Sequence, residues 1–239
     1  MKLLPLLLFC LNFANAQELS GDSLQILYNQ SYPVKLYYQA IGENAHLYNG
    51  YEYMTPDARI KGSPFFLTDQ ISPADLSYDD GYYSQVPIRY DIVLDLVVIN
   101  RLDQNYTISL ISEKLKSFSL LNHYFIRINK DSLHGSGINT GFYDRIYGGK
   151  STTIVKRKKT VLEQVQLNIG TMYYLDENIY YVKFGGKYVE VKGKSSVLNL
   201  FKDKKSEIKS FLRKNKLNFK SDFEKTLIAT SAYYDQLTS

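Results

Sequence analysis

The sequence predicts a mainly β protein of the α+β class. We expect an antiparallel meander curled into an open or partly closed barrel, with a small C-terminal helical cap. Between about residues 34 and 191, β-branched and aromatic runs of strand length alternate with polar breakers. No helical pattern of strand-connecting length intervenes there, which argues against a parallel α/β sheet. After Lys192 the apolar positions recur at helical spacing instead.

Four segments carry the strand signal most clearly. Each is β-rich and bounded by polar residues: Tyr90–Ile99, Tyr106–Ile111, Leu115–Leu120 and Tyr124–Ile128. Three dipeptides predict tight hairpin turns between further strands: Asp80-Gly81, Gly148-Gly149 and Gly185-Gly186. We expect a positive φ at one or both glycines of each Gly-Gly pair.

The C-terminal segment predicts three short helices. Ser195 precedes the first, and Asp203 is placed to cap the second. Ser221 and Glu224 have the spacing of a capping box at the start of the third. Helices this short need packing to be stable, so we expect them to rest on the sheet or on one another.

The first 16 residues have the pattern of a secretory signal peptide. Lys2 precedes an apolar run, and Ala14-Asn15-Ala16 has the form of a cleavage site. The predicted organisation is therefore signal peptide 1–16, antiparallel β domain 17–191 and Lys-rich helical segment 192–239. A lipidated Cys10 is the alternative, against which the bulky Phe9 argues. No later run has the length to cross a membrane, so the mature chain is predicted to be exported, periplasmic or cell-surface associated, without a transmembrane helix.

The composition excludes several kinds of site. The chain of 239 residues has one Cys and three His, which excludes disulfide scaffolds and Cys-based metal sites. The 22 Tyr and 12 Phe, without Trp, suit ring packing on both faces of a sheet. The alternative is a tyrosine surface that stacks a ligand such as a sugar.

Motifs with known chemistry are incomplete. Gly148–Thr152 resembles part of a phosphate loop, but Asp144 occupies the position of the required first glycine. Asp91 and Asp95, as strand residues, would lie about 13 Å apart, too far for a glycosidase acid pair. The histidines have no metal-ligand spacing, and the cluster Asp75, Asp79 and Asp80 suits at most weak calcium binding. We therefore expect no catalytic residue, no metal ligand and no cofactor.

Charge divides the chain. Residues 17–149 carry 10 basic and 15 acidic side chains, whereas residues 150–239 carry 18 basic and 9 acidic ones. The densest run is Lys156, Arg157, Lys158 and Lys159. One interpretation is that this run, with the Lys-rich helices, binds an anionic envelope component. The other is that it lies at a sheet edge, where Lys prevents edge-to-edge aggregation. We expect no nucleic-acid partner.

Several motifs together are similar to those of a family of exported proteins. They are Gly62-x-Pro-Phe-Phe66, Asp79–Tyr83, Val86–Asp91 with Asp95, Gly141–Tyr143, the run Lys156–Lys159 and the final Tyr233-Tyr-Asp235. The chain thereby resembles an uncharacterised family of exported β-rich proteins of Bacteroidota-type bacteria. The resemblance implies a periplasmic or cell-surface home and carries no activity.

These observations favour an exported envelope module that binds a partner or has a structural role, without catalytic activity. The first alternative is a periplasmic carrier of a lipid or other hydrophobic ligand, which a large apolar cavity would favour. The second is a hydrolase with a dispersed acidic site, which a cleft with converging carboxylates would favour. A filled interior favours the binding module.

Overall fold

A computed structural model gives the fold and describes residues 46–100, 107–130, 137–166 and 169–239. The predicted signal peptide lies outside the described residues. The strands are β1 Tyr51–Glu52, β2 Ser72–Tyr78, β3 Gly81–Asp91, β4 Leu96–Asn100, β5 Thr107–Ser109, β6 Leu115–Leu120, β7 His123–Ile128, β8 Gly141–Tyr147, β9 Thr153–Gln166, β10 Ile169–Phe184 and β11 Lys187–Val191. The helices are α1 Lys194–Leu200, α2 Lys205–Lys214 and α3 Phe223–Leu237, with 3-10 turns at His46–Tyr48 and Lys202–Lys204.

The described strands form one sheet of mainly antiparallel strands, in the order β1-β5-β4-β3-β2-β6-β7-β8-β9-β10-β11. From β6 onward each strand pairs with the next along the chain, as a meander does. β1 and β11 occupy opposite edges, so the sheet is not closed. The predicted class, an antiparallel meander in an open barrel with C-terminal helices, is confirmed.

An aromatic cluster fills the concave side of the curled sheet. Phe118 and Phe125 stack with ring centroids 4.7 Å apart, and Tyr90 meets Phe125 at 5.0 Å. Phe142 and Phe66 complete the cluster edge-on. Edge-to-face and offset pairs of this kind pack densely, so side chains occupy the interior of this part of the fold.

A segment without strand structure spans the open side of the curl. Lys61 exchanges backbone hydrogen bonds with Met172 and Tyr174 of β10. A few residues on, Phe66 N donates to Tyr90 O of β3 at 2.8 Å. The segment therefore connects β10 and β3, which lie far apart in the strand order.

The turns differ in part from those predicted. Gly185 and Gly186 have φ values of 56° and 81°, which confirms the turn between β10 and β11. The β2–β3 turn lies one residue earlier than predicted: Asp79 adopts the positive φ, and Gly81 already belongs to β3. An Asp tolerates this conformation better than most residues, which permits the shift.

The prediction of positive φ at Gly148-Gly149 is wrong. Neither glycine is left-handed, and β8 and β9 are joined by a longer loop, residues 148–152. Glycine is needed at 149 for another reason: a Cβ there would collide with a carboxylate oxygen of Asp235. That carboxylate accepts hydrogen bonds from Ser151 N and from Tyr147 Oη, so α3 holds the loop.

The three helices form a compact cap on one face of β9–β11. Val182 and Val191 of the sheet pack with Phe201, Ile208 and Leu227 of the helical segment. The predicted caps of α2 and α3 are wrong. Asp222, not Ser221, caps α3 by accepting a hydrogen bond from Lys225 N. Asp203 accepts instead from Tyr234 Oη, and Glu224 turns toward the sheet.

Candidate functional site: charged residues of β9 and the helical cap

The run Lys156–Lys159 lies within β9. It pairs with β10, where Lys156 is opposite Ile179 and Lys159 is opposite Asp176. Pairing with β8 ends at Val155, so the run is paired through β10 alone among the neighbouring strands of β9. Lys159 N instead donates to Ile92 O in the β3–β4 turn, because the curl brings that turn alongside β9.

Lys156 is mostly buried against the β3–β4 turn. Its Nζ lies 2.6 Å from Asp95 Oδ2 and donates to Phe142 O at 3.1 Å. Burial lowers the pKa of Lys156, and the negative charge of Asp95 acts in the opposite direction. A Cβ added at Gly141 would lie within 3 Å of both the Asp95 carboxylate and the Lys156 ammonium. Only glycine at this position leaves room for the ion pair so close to the backbone.

Arg157 connects the aromatic core to the helical cap. Its guanidinium contacts Asp144 Oδ2 at 2.6 Å and both carboxylate oxygens of Glu224 at 2.8 and 2.9 Å. Nδ1 of His123 lies 2.8 Å from the same Asp144 oxygen, and Tyr180 Oη donates to Glu224. Burial alone would lower the pKa of Arg157, but the hydrogen bonds and charges of Glu224 and Asp144 raise it. We call these five residues the Arg157 network.

Lys159 and Lys158 complete the run. Lys159 donates to Ser63 O and Phe65 O, both at 2.9 Å, and lies 3.7 Å from Asp176. Lys158 is the most exposed of the four, with 36% of its side chain accessible, and it pairs with Glu177 at 3.0 Å. Each cation of the run thus faces a carboxylate of this chain. Binding of an external anion by the run stays a prediction, and the geometry gives the run an internal role.

The acidic residues singled out in the sequence also have internal partners. Asp91 is fully buried and accepts hydrogen bonds from Tyr53 Oη and from two backbone N–H groups of the β3–β4 turn. Asp95 accepts from Tyr90 Oη and Phe142 N. Asp75, Asp79 and Asp80 do not converge, because each has its own partner: Ser84 and Gln85, Lys114, and Lys116. Across the described ranges, no group of three or more His, Cys, Asp or Glu residues could hold a metal ion.

The helical cap carries a second set of basic residues. Residues 192–239 contain 11 basic and five acidic side chains. Four of those acids are engaged elsewhere: Asp203 with Tyr234, Asp222 as a cap, Glu224 with Arg157 and Asp235 with the β8–β9 loop. Among the 11 basic residues, ion pairs within the described chain involve Lys192 alone.

Three of these residues form a stripe along α2. Lys205, Lys209 and Arg213 recur every four residues and so lie on one side of the helix. Lys202 lies in the 3-10 turn before the helix and Lys216 lies beyond its end, so the part of the row on α2 itself, from Lys205 to Arg213, spans about 12 Å at the helical rise. The adjacent side of α2, with Ile208 and Leu212, packs into the helical core, about a quarter turn around the helix from the stripe. We call Lys202, Lys205, Lys209, Arg213 and Lys216 the α2 stripe.

A shallow, open groove of about 410 Å³ lies along the first turns of α3, between Asp222 and Ala229. Glu224, which binds Arg157, lines it, so the groove borders the Arg157 network. Its lining consists of three charged residues, Asp222, Glu224 and Lys225, and two apolar ones, Ile228 and Ala229.

Sequence reasoning missed the Arg157 network. His123, Asp144 and Glu224 come from β7, β8 and α3 and have no local spacing that relates them. Within the described residues, no helix has the length and apolar character that crossing a membrane requires. No family model, curated protein or solved structure matches the chain, so the fold and the charge distribution are the basis on which a function can be proposed.

Proposed function

We propose that this chain is an exported, non-catalytic binding module of the cell envelope that holds an anionic polymer on the α2 stripe. The observation that carries the proposal is the contrast between two basic regions. The run on β9 is neutralised by carboxylates of the same chain, whereas the α2 stripe has no ion-pair partner among the described residues.

Repulsion between the cations of the stripe lowers the stability of α2. Like charges four residues apart destabilise a helix by a few tenths of a kcal/mol per pair. Glu207, the acidic residue of α2, is two residues from both Lys205 and Lys209 and does not alternate with them along the row. A row of unpaired cations is therefore better explained by an anion that it meets outside the chain.

The chemistry of the stripe favours a polymer with spread negative charge. Lys predominates, and its ammonium acts as a point charge without the bidentate fork that selects a single carboxylate or phosphate. The apolar side of α2 is buried in the core, so the helix has no apolar face to insert into a bilayer. A row of point charges without an apolar face suits an extended polyanion such as an acidic polysaccharide better than a lipid surface.

The filled aromatic interior supports a binding module over a carrier. Tyr90, Phe118, Phe125 and Phe142 are almost fully buried and in mutual contact where a carrier would enclose its ligand. Against a hydrolase, Asp91, Asp95 and Asp144 are each occupied by hydrogen bonds or ion pairs of the fold rather than converging on a cleft.

Export is part of the proposal. Cleavage of residues 1–16 would leave Gln17 as the N-terminus, which mass spectrometry of the mature protein measures directly. A mature chain that begins at Gln17 and is recovered from the periplasm or cell surface supports export. An intact Met1, or a lipid on Cys10, contradicts it.

The binding proposal is tested by co-sedimentation with alginate beads at about 50 mM and 500 mM NaCl. We expect the wild-type protein to be retained at low salt and released at high salt. The triple variant Lys205→Gln, Lys209→Gln, Arg213→Gln should bind at least tenfold more weakly.

A matched control removes three other exposed cations, Lys116, Lys187 and Lys192, and lowers the net charge equally. Equal retention of the two triple variants would show that net charge, not the stripe, decides binding, and would overturn the proposal. Liposomes with anionic lipid form a parallel arm. Stripe-dependent binding to liposomes without binding to alginate would replace the polymer with a membrane surface.

A further inference from the structure

A second surface lies on the convex side of the sheet, opposite the aromatic cluster. Tyr82 of β3 is 62% exposed and Tyr124 of β7 is 38% exposed, although most tyrosines of the described sheet are buried or half-buried. Neither ring belongs to the helical-cap core or to the cluster around Tyr143 and Tyr181 in the described part of the chain. Packing therefore explains the buried tyrosines but leaves these two rings without a role in the interior.

The strand register places a floor of small side chains between the two rings. Tyr82 is opposite Ser77 on β2, which is opposite Ser117 on β6. Tyr124 is opposite Ser119 on β6, which is opposite Asp75 on β2. Directly opposed residues project to the same face, so the serines lie between the rings. Three strand spacings of about 4.8 Å separate β3 from β7, which makes a trough about 14 Å wide.

Polar groups line the trough in fixed positions. The Asp75 carboxylate accepts hydrogen bonds from Ser84 Oγ at 2.8 Å and Gln85 N at 3.0 Å. Loss of hydration raises the pKa of Tyr82, and the negative charge of Asp75 adds to the effect. A β-bulge in the β2–β3 pairing, with Gln85 at a φ of 58°, shapes this corner.

The opposite wall is also held in place. The guanidinium of Arg145 on β8 lies over the Tyr124 ring, 4.6 Å from its centroid. Phe125 is opposite Asp144 in the register, so the residues next to them, Tyr124 and Arg145, both project to the other, convex face beside the trough. Because the guanidinium covers one side of the ring, the other side is the one that remains for a ligand.

We propose that this trough, bounded by Tyr82 and Tyr124, binds a neutral saccharide chain. Tyrosine rings present flat apolar faces to the C–H faces of pyranose rings, while the serine hydroxyls and Asp75 match sugar hydroxyls. The trough carries one carboxylate and one guanidinium, which suits an uncharged polyol rather than a polyanion. It lacks the continuous apolar area that a lipid or a protein hot spot requires.

The trough is independent of the α2 stripe, since it lies on a different face and is built from different residues. Binding is measured by affinity electrophoresis in native gels that contain laminarin, hydroxyethylcellulose or glycol chitin, all neutral soluble polysaccharides. We expect at least one of them to retard the wild-type protein. Tyr82→Ala and Tyr124→Ala should each weaken that retardation at least tenfold, because each removes one stacking ring.

Two control variants separate stacking from general effects. Tyr82→Phe keeps the ring and should retain most of the binding. Tyr51→Ala removes a ring that is similarly exposed but lies on β1, and it should bind like the wild type. Absence of retardation in all three gels overturns the proposal, and so does wild-type retardation of Tyr82→Ala and Tyr124→Ala together. A failure of the protein to bind alginate would contradict the proposal for the α2 stripe and would not affect the proposal for the trough.

Discussion

Replacement of Arg157 by Gln should destabilise the protein far more than the same change at its neighbour Lys158. The two residues are adjacent in sequence and carry the same charge, but their surroundings differ. Arg157 is 9% exposed and bonded to Asp144, which is 2% exposed, whereas Lys158 and Glu177 are both partly in water. The comparison therefore isolates the effect of burial on an ion pair.

The expected magnitude depends on the groups that each variant leaves behind. Arg157→Gln strands the buried Asp144 carboxylate without its cation, and breaking a buried pair in this way costs about 3–5 kcal/mol. Lys158→Gln breaks a pair that water already screens, which costs about 0–1 kcal/mol. Arg157→Lys should fall between them, because it keeps the charge but loses the fork that reaches Asp144 and Glu224 together.

Urea unfolding followed by far-ultraviolet circular dichroism measures these differences. The free energy of unfolding and the slope against urea are compared for the wild type and the three variants. Equal losses for Arg157→Gln and Lys158→Gln would refute the reasoning, since the buried network would then contribute no more than a surface pair. A large loss confined to Arg157 would assign the centre of the basic run to folding rather than to a partner.

Two further predictions concern the loop at α3 and the buried tyrosines. Gly149→Ala should lower the free energy of unfolding by about 1–3 kcal/mol by overpacking against Asp235, whereas Gly148→Ala, with no atom closer than 3.9 Å, should change the melting temperature little. Burial raises the pKa of Tyr53 and Tyr90 above the ordinary value of 10.0, so these tyrosines stay neutral in the fold while the unfolded chain ionises. Their contribution is complete below about pH 10 and is lost as the pH rises above it, so the urea midpoint should fall as the pH rises from about 10 to about 11, less steeply in Tyr90→Phe. An unchanged slope in that variant would contradict the assignment.

The two Gly-Gly pairs show where local sequence stops being sufficient. Gly185-Gly186 forms the predicted tight turn, because nothing lies within 4 Å of either glycine and the strands alone decide the geometry. Gly148-Gly149 has the same dipeptide between strands of similar composition but lies in a longer loop held by Asp235. A side chain more than 80 residues away, on α3, decides that geometry, and no turn rule includes it.

The sequence by itself determined which parts of the chain form strands and which form helices. Alternation of apolar residues located several of the strands, and the change of period after Lys192 located the helical cap, since both patterns depend on neighbouring residues. The single strand predicted over Tyr90–Ile99 is wrong, because the β3–β4 turn divides it between Asp91 and Leu96. It also located the run of four cations, for which it predicted an anionic partner or a place at a sheet edge. Only the tertiary structure decided that these cations meet carboxylates of the same chain: Arg157 contacts Asp144 and Glu224, which are 13 and 67 residues away. The same folding left the α2 stripe unpaired and turned Tyr82 and Tyr124 outward. Strand order and curl bring such residues together or keep them apart. Electrostatic energy depends on distance and burial rather than on position in the chain, so composition could not distinguish the neutralised cations from the unpaired ones.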